Sequence, residues 1–449
     1  LTLARQSAEH ARSVTHDPWS ALRNREYRNF LLGVGAGTLA GQIQTTVLSW
    51  QVWELTGNPF WLGMIGLAEA IPFLSLTLWG GWEADRRDRR ALVLWSLSAS
   101  ALSSLALVLA TFLPPPPARA AGQMLTGLQA FTVALPCYAA QALGGVGRAF
   151  FRPAAAALGA ELVPREHYQN AASWRSAVFQ SATVAGPALG GLLLLFAAAR
   201  VSYLLVLALA VASIACYATL RPRPRAVVPR EGILAGLADG IRFVLSRPLL
   251  VGAMSLDLFA VLFGGAVALL PVFAEALHAG KAGLGLLRAA PALGSVGMGL
   301  AIARFGELRR AGPVLLWCVA FFGVTWILFA LSPWLWLAAV LLVVGGALDC
   351  VSMVVRGTLV QTATPPEKMG RVSAVNSLFI GSSNEVGEFE SGLAARLMGV
   401  VPSVVFGGTM TLVTVALVAW RVPALRRLRR IHHEAEPAPA AASAANAGE

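Results

Sequence analysis

Apolar runs of 20 or more residues follow one another along most of the chain, separated by short polar stretches. Each run is long enough to cross a hydrocarbon core of about 30 Å as a helix. Windows of roughly 19 residues place candidate spans at 29–53, 59–81, 91–113, 131–156, 173–197 and 201–220. A second set falls at 249–275, 283–304, 312–332, 334–357, 373–398 and 402–421. The pattern predicts an all-α integral membrane protein with 12 transmembrane helices in two six-helix halves. The outer end of the fourth span is ambiguous, because Pro114 to Pro117 and a weakly apolar stretch precede it.

The polar stretches carry the orientation. Arginine and lysine cluster in alternate connections: Arg23, Arg25 and Arg28; Arg86, Arg87, Arg89 and Arg90; Arg165; Arg221 to Arg230; Arg309 and Arg310; Lys368 and Arg371; Arg426 to Arg430. The intervening connections keep only Arg119, Arg200 and Lys281. Positive charge in short loops is retained on the cytoplasmic side, so a multi-pass plasma (inner) membrane protein with both termini in the cytoplasm is expected.

Five regions follow: a cytoplasmic tail at 1–28, an N-terminal half at 29–220, a linker at 221–248, a C-terminal half at 249–421 and a tail at 422–449. The first tail has no short apolar region followed by a small-residue cleavage site. The last turns to Ala, Pro and Glu, which cannot bury enough apolar surface to fold. Within the linker, Ile233, Leu237, Ile241, Val244 and Leu245 share a helical face, as in a helix lying on the membrane surface.

Composition agrees with the pattern. Of 449 residues 56% are hydrophobic and 13% charged, against roughly 25% charged in a soluble domain. The net charge of +12 resides in loops rather than on a basic face, so no nucleic-acid partner is implied. Cys137, Cys216, Cys318 and Cys350 all fall in predicted spans and form no C-x-x-C pair, which supports neither a disulfide framework nor a zinc site. The six histidines lie in tails or loops, and no HExxH motif or G-x-x-x-x-G-K-[ST] phosphate loop occurs. No metal or cofactor is expected, an enzyme is disfavoured, and an ion gradient must supply the energy.

Charges inside spans cost roughly 2.5 to 3.5 kcal/mol each at a helix centre, so each calls for a reason. They are Glu69 in span two, Arg148 in span four, Asp257 in span seven, Asp349 in span ten, and Glu385 and Glu388 in span eleven. Glu385 and Glu388 share a helical face, whereas Glu390 points elsewhere. Two carboxyls that close cannot easily both ionise at low dielectric, which suits one of them to proton exchange. A purely structural acid-to-arginine partnership is the alternative, most of all for Asp349, which shares a face with Arg356. Arg148 either neutralises one of these acids or meets an anionic substrate. Gln42, Gln44 and Gln51 would line a polar pathway if span one faces a cavity, and Trp53, Trp61 and Trp334 suit interfacial anchors.

Two motifs sharpen the reading. Gly81-Trp-Glu-Ala-Asp-Arg-Arg-Asp-Arg-Arg90, between spans two and three, resembles the G-x-x-x-D-R-x-G-R-R/K signature of the major facilitator superfamily, with Asp88 where many members have Gly. The resemblance implies an inner gate formed by Gly81, Asp85, Arg86, Arg89 and Arg90. A weaker echo, Arg304 to Arg310, follows span eight, as parallel halves would have it. Ala182-Thr-Val-Ala-Gly186-Pro187-Ala-Leu-Gly190-Gly191 in span five is similar to the g-x-x-x-G-P-x-x-G-G motif of proton antiporters in the same superfamily. Further stretches, among them Trp19 to Arg28, Glu161 to Glu166, Gly370 to Asn376 and Gly387 to Gly392, resemble the branch that contains enterobactin exporters and related drug-efflux proteins.

The resemblance implies a proton-coupled exporter of a small amphipathic molecule, such as a siderophore or drug, working by alternating access. Its partners would be that substrate, protons and membrane lipids, and the expected state is a monomer. An uptake permease of the same fold is the alternative. A membrane-embedded protein with no transport role ranks below both.

Overall fold

The computed structural model describes residues 19–113, 127–221, 233–305, 310–365 and 368–428, without a few side chains, Asp85 among them. The expected tails up to 18 and from 429, the stretch Pro114 to Pro117 and most of the Arg304 to Arg310 echo lie outside these residues. The described residues are almost all helical, with no strand among them. A backbone crossing lipid must satisfy its own hydrogen bonds, and helices do so within one segment.

The first half comprises α1 (Arg25–Thr56), α2 (Pro59–Arg86), α3 (Arg89–Ala110), α4 (Gly127–Glu161), α5 (Tyr168–Phe196) and α6 (Ala199–Ala218). A linker helix, α7 (Ile233–Leu245), follows. The second half comprises α8 (Pro248–Gly264), α9 (Leu270–Ala276), α10 (Gly280–Phe305), α11 (Ala311–Ala330), α12 (Leu335–Ala363), α13 (Met369–Met398) and α14 (Val400–Arg421), closed by the short α15 (Pro423–Arg427). The expected seventh span is broken: a 3-10 turn at Val267–Leu269 separates α8 from α9. Helix α4 runs from Gly127 to Glu161, beyond both ends of its predicted span.

Ten helical segments among the described residues are long and apolar enough to cross a membrane, α8 and α9 counting as one. Helices α1 and α13 have the length, at 32 and 30 residues, but are less apolar. They carry Gln42, Gln44 and Gln51, and Glu385, Glu388 and Glu390 respectively. The 12 predicted crossings require these two polar helices as well.

Local sequence sets the turns. Gly57 takes a left-handed φ of 61° at the end of α1, the Asn58 side chain accepts a hydrogen bond from the Phe60 N–H, and Pro59 opens α2. Gly is favoured past a helix end, Asn at an N-cap and Pro at the first helical position. At the opposite end Asp88 caps α3, accepting from the Arg90 N–H at 3.0 Å.

Each half packs around its own helices: α2 and α3 against α4, and α1 against α5 and α6, in the first; α10 and α11 against α12, and α8 against α13 and α14, in the second. The halves meet along two crossings, α2 with α13 and α5 with α10. These crossings exchange if the halves are swapped, as parallel repeats require.

The single apolar face expected of α7 is put to two uses. Val244 is buried and Leu237 half-buried against the second half, while Ile241 and Leu245 are exposed. The helix thus serves both protein and surroundings. Its Asp239 accepts from Arg371 at 2.5 Å and from Lys368 at 3.1 Å, at the start of α13. Those bonds, the Arg371 one foremost, hold the Asp239 carboxyl below the usual carboxylate range. A depressed pKa stabilises the folded clasp above the ordinary carboxylate pKa, and the contribution is lost as pH falls through the lowered value. Asp239→Asn is expected to increase tryptic cleavage at Arg242 and Arg247 at neutral pH. A variant cleaved no faster than the wild type would contradict this.

Candidate functional site

The two crossings between halves are built from stripes at helical spacing. On α13, Gly381, Glu385, Glu388 and Gly392 recur every three or four residues and lie along α2. A Cβ added at Gly63 would stand 3.0 Å from the Gly392 Cα, and one at Gly66 would stand 2.7 Å from the Glu388 Cβ. On α10, Lys281, Gly285 and Arg288 form the corresponding stripe. A Cβ at Gly191 of α5 would stand 2.6 Å from the Gly285 Cα. Small residues allow this approach, and within lipid it is packing rather than water exclusion that holds helices together.

Charges ride on the same stripes. On α4, Gln141, Gly145 and Arg148 share a face, and a Cβ at Gly145 would meet the Glu69 carbonyl of α2 at 2.6 Å. That contact brings Glu69 beside both polar neighbours: Gln141 donates to its carboxylate at 2.6 Å, and Arg148 forms an ion pair with it. The Arg148 guanidinium also reaches Glu385 of α13 at 3.1 Å. One arginine therefore joins an acid of its own half to an acid of the other. Arg152 neighbours Arg148 and Glu385, and its guanidinium stands 5.5 Å from the Phe73 ring centre. Arg288 neighbours Glu388. Three carboxylates thus face three guanidinium groups along the seam.

Contacts between halves concentrate at the Gly57 end. There Trp53 donates its indole N–H to Glu275 of α9, Lys281 pairs with Glu54 at 3.3 Å, and Arg396 lies 4.9 Å from the Phe60 ring centre. At the other end the expected gate residues bond inside the first half. Arg89 pairs with Glu161 of α4 at 2.5 Å, and Arg90 donates to the Ala218 carbonyl of α6 at 2.6 Å. The Arg90 bond satisfies a carbonyl that the end of α6 leaves open. Arg86 is exposed over the Trp82 ring, 4.0 Å from its centre. A Cβ at Gly81 would meet nothing within 4 Å.

In the antiporter-like motif, Pro187 lies inside α5. Gly186 faces Gln42 and Gly190 faces Thr46, both on α1, while Gly191 faces α10. The motif therefore packs α5 against both a neighbour and the opposite half. In the second half, Asp257 of α8 pairs with Arg356 of α12 at 2.5 Å, both side chains nearly buried. Arg356 takes this partner from another helix, the bonded acid being Asp257 rather than Asp349 of its own helix. Asp349 and Asp257 line one small cavity.

Two further expectations change. Gln44 bonds to Ser103 and Ser104 of α3, and Gln51 accepts from Tyr203 of α6. These glutamines knit the first half together instead of lining the seam, because their face of α1 meets α3 and α6. Trp61 is buried among Phe60, Phe131 and Tyr138 rather than anchoring at a surface, whereas Trp334 is exposed as expected. Arg152 and Arg288 escaped the sequence reading, although the rule that singled out Arg148, charge within a span, applied equally to both.

A family model described as transmembrane secretion effector matches residues 16–447. Curated relatives include the enterobactin exporter EntS of Escherichia coli O1:K1, 27% identical over 85% of this chain and 88% of its own length. EntS of Escherichia coli O127:H6 is 26% identical over 89% of this chain and 91% of its own length. Among solved structures, a D-xylose-proton symporter superposes with a TM-score of 0.66 at 14% identity, covering 89% of this chain and 98% of that one. A bacterial homologue of the lysosomal transporter Spinster, in an inward-facing, unoccupied conformation, gives 0.65 at 15% identity, covering 93% and 99%. At these identities the structures speak for the fold: two helical halves of the major facilitator type.

Removing Arg148 strands Glu69 in a buried site. Arg148→Ala is expected to destabilise the detergent-solubilised protein by roughly 3 kcal/mol, seen as a lowered unfolding midpoint. Adding Glu69→Gln and Glu385→Gln should recover much of the loss. A triple variant no more stable than Arg148→Ala alone would show that the pairing is not what Arg148 contributes.

Proposed function

The chain belongs to the transmembrane secretion effector family, and from that membership we propose a proton-coupled secondary transporter that exports a small amphipathic organic molecule by alternating access. It is a multi-pass membrane transporter rather than an enzyme. Relatives named as enterobactin exporters favour a siderophore-like substrate, and the Gly186-Pro187 motif favours export over uptake.

The observation that carries the reading is the Arg148 bridge. An ion pair joining Glu69 of one half to Glu385 of the other is intact only while α4 and α13 stay adjacent. Rocking the halves apart breaks it, and a carboxylate left alone at low dielectric must find another partner. Alternating access needs such a bond, one that can be remade in a second arrangement.

With positive charge retained inside, the Arg89 end faces the cytoplasm, the Gly57 end faces outward, and α1 and α13 cross with the other ten segments. The contacts at the Gly57 end then close the outward side, and the open space beside Gly81 belongs to an inward-open arrangement. In the opposite arrangement Gly81, Asp85, Arg86, Arg89 and Arg90 form the inner closure.

Export can be tested in proteoliposomes carrying an imposed proton gradient, with enterobactin as the probe. Probe movement opposite to the proton flux, abolished by a protonophore and by Glu385→Gln/Glu388→Gln, is the expected result. Movement in the same direction as the protons would identify an uptake permease, and movement indifferent to the gradient would exclude proton coupling.

A further inference from the structure

The seam and the second half differ in how their charges balance. Along the seam Glu69, Glu385 and Glu388 face Arg148, Arg152 and Arg288, so every carboxylate has a guanidinium neighbour. A proton added there leaves an arginine in excess and breaks a bridge that holds the halves together. Inside the second half the count differs. Asp257 and Asp349 share one guanidinium, Arg356, and Arg356 pairs with Asp257.

Both carboxylates line a small cavity between α8, α11 and α12. The remaining lining is mostly apolar, with Val261, Val319, Phe322 and Leu348, and its other polar groups are Cys318 and Ser352. The groups facing Asp349 can be named helix by helix. Asp257 comes from α8, Cys318 from α11, and Arg356 and Cys350 from α12 itself. From α10 the neighbours of that stretch of α12 are the uncharged Gly294, Ser295 and Gly299. Two carboxylates and one guanidinium leave one negative charge unbalanced in a poorly solvated space. Like-charged carboxylates sharing a site favour retention of a proton by one of them. Arg356 pairs with Asp257, which leaves Asp349 without an ion-pair partner as the acceptor.

We propose that Asp349, facing the Asp257–Arg356 pair across this cavity, is a proton-binding site of the second half, distinct from the charge-balanced seam. The proposal rests on the reading of the chain as proton-coupled, and it names where the proton resides. When Asp349 takes a proton the triad becomes neutral overall; when it loses one, Arg356 is drawn towards two acids at once. Because α8 also packs on α13, a shift of Arg356 and Asp257 has a direct route to the stripe that carries Glu385.

The site can be tested without knowing the substrate. Infrared difference spectra of the purified full-length protein in lipid nanodiscs report the carbonyl stretch of a protonated carboxyl during a pH titration. A protonated carboxyl is expected to appear and disappear across the titration, and its band should shift with carbonyl-¹³C aspartate but not with labelled glutamate. Asp349→Asn should remove the band, Glu385→Gln and Glu388→Gln should keep it, and Asp257→Asn should move its titration to lower pH by freeing Arg356 for Asp349. The isotope result needs no substitution, so a band that stays in place with labelled aspartate overturns the proposal even if Asp349→Asn fails to fold. A band that shifts with labelled glutamate, or that survives Asp349→Asn, overturns the proposal. Loss of enterobactin transport with the aspartate band intact would instead count against the proposed substrate alone.

Discussion

A guanidinium group placed within a membrane helix has to be paired, and in this protein the pairing of Arg148 organises the structure around it. Insertion of a lone charge at a helix centre costs roughly 3 kcal/mol, and Glu69 and Glu385 offset that cost from opposite halves. The bond is therefore structural and movable at once. It holds the seam closed in the arrangement observed, yet its two acids belong to bodies joined mainly along two helix crossings and at one end.

Close packing makes this electrostatic arrangement reachable. Gly145 lets α4 approach α2 so that Gln141 and Arg148 flank Glu69, and Gly63 and Gly392 let α13 approach α2 so that Glu385 falls within reach of Arg148. Glycine and charge alternate on the same stripes because they serve one contact. Small residues set the distance and charged ones set the strength. At the Arg89 end, by contrast, Arg89 and Arg90 tie α4 and α6 to α3 within one half, which gives that half rigidity as a moving body.

Much of the fold was legible in the sequence, for reasons that differ from place to place. The turn at Gly57-Asn58-Pro59 follows from local chemistry, each residue filling the backbone position it prefers. Hydrophobic length located the apolar helices, and charge placed Glu69, Arg148, Glu385 and Glu388 among the residues to examine. Partner choice was not legible. A period of 3.6 residues says which side chains share a face but not which helix meets that face, so Arg356 stood beside Asp349 as one alternative although α8 presents Asp257 to it. Gln44 and Gln51 of α1 show the same limit: their polarity suggested a pathway, but their face turns towards Ser103, Ser104 and Tyr203. The break between α8 and α9 escaped the reading although Gly264, Gly265 and Pro271 flank it, because the apolar run continues through all three.

The central claim is that the seam between α2 and α13 must open for transport. It is tested most directly by placing cysteines at Gly63 and Gly392 in a protein whose four native cysteines are replaced, and measuring transport before and after cross-linking. The account predicts that the cross-link forms readily, that transport stops, and that a reductant restores it. Transport that continues with the seam held closed would contradict it.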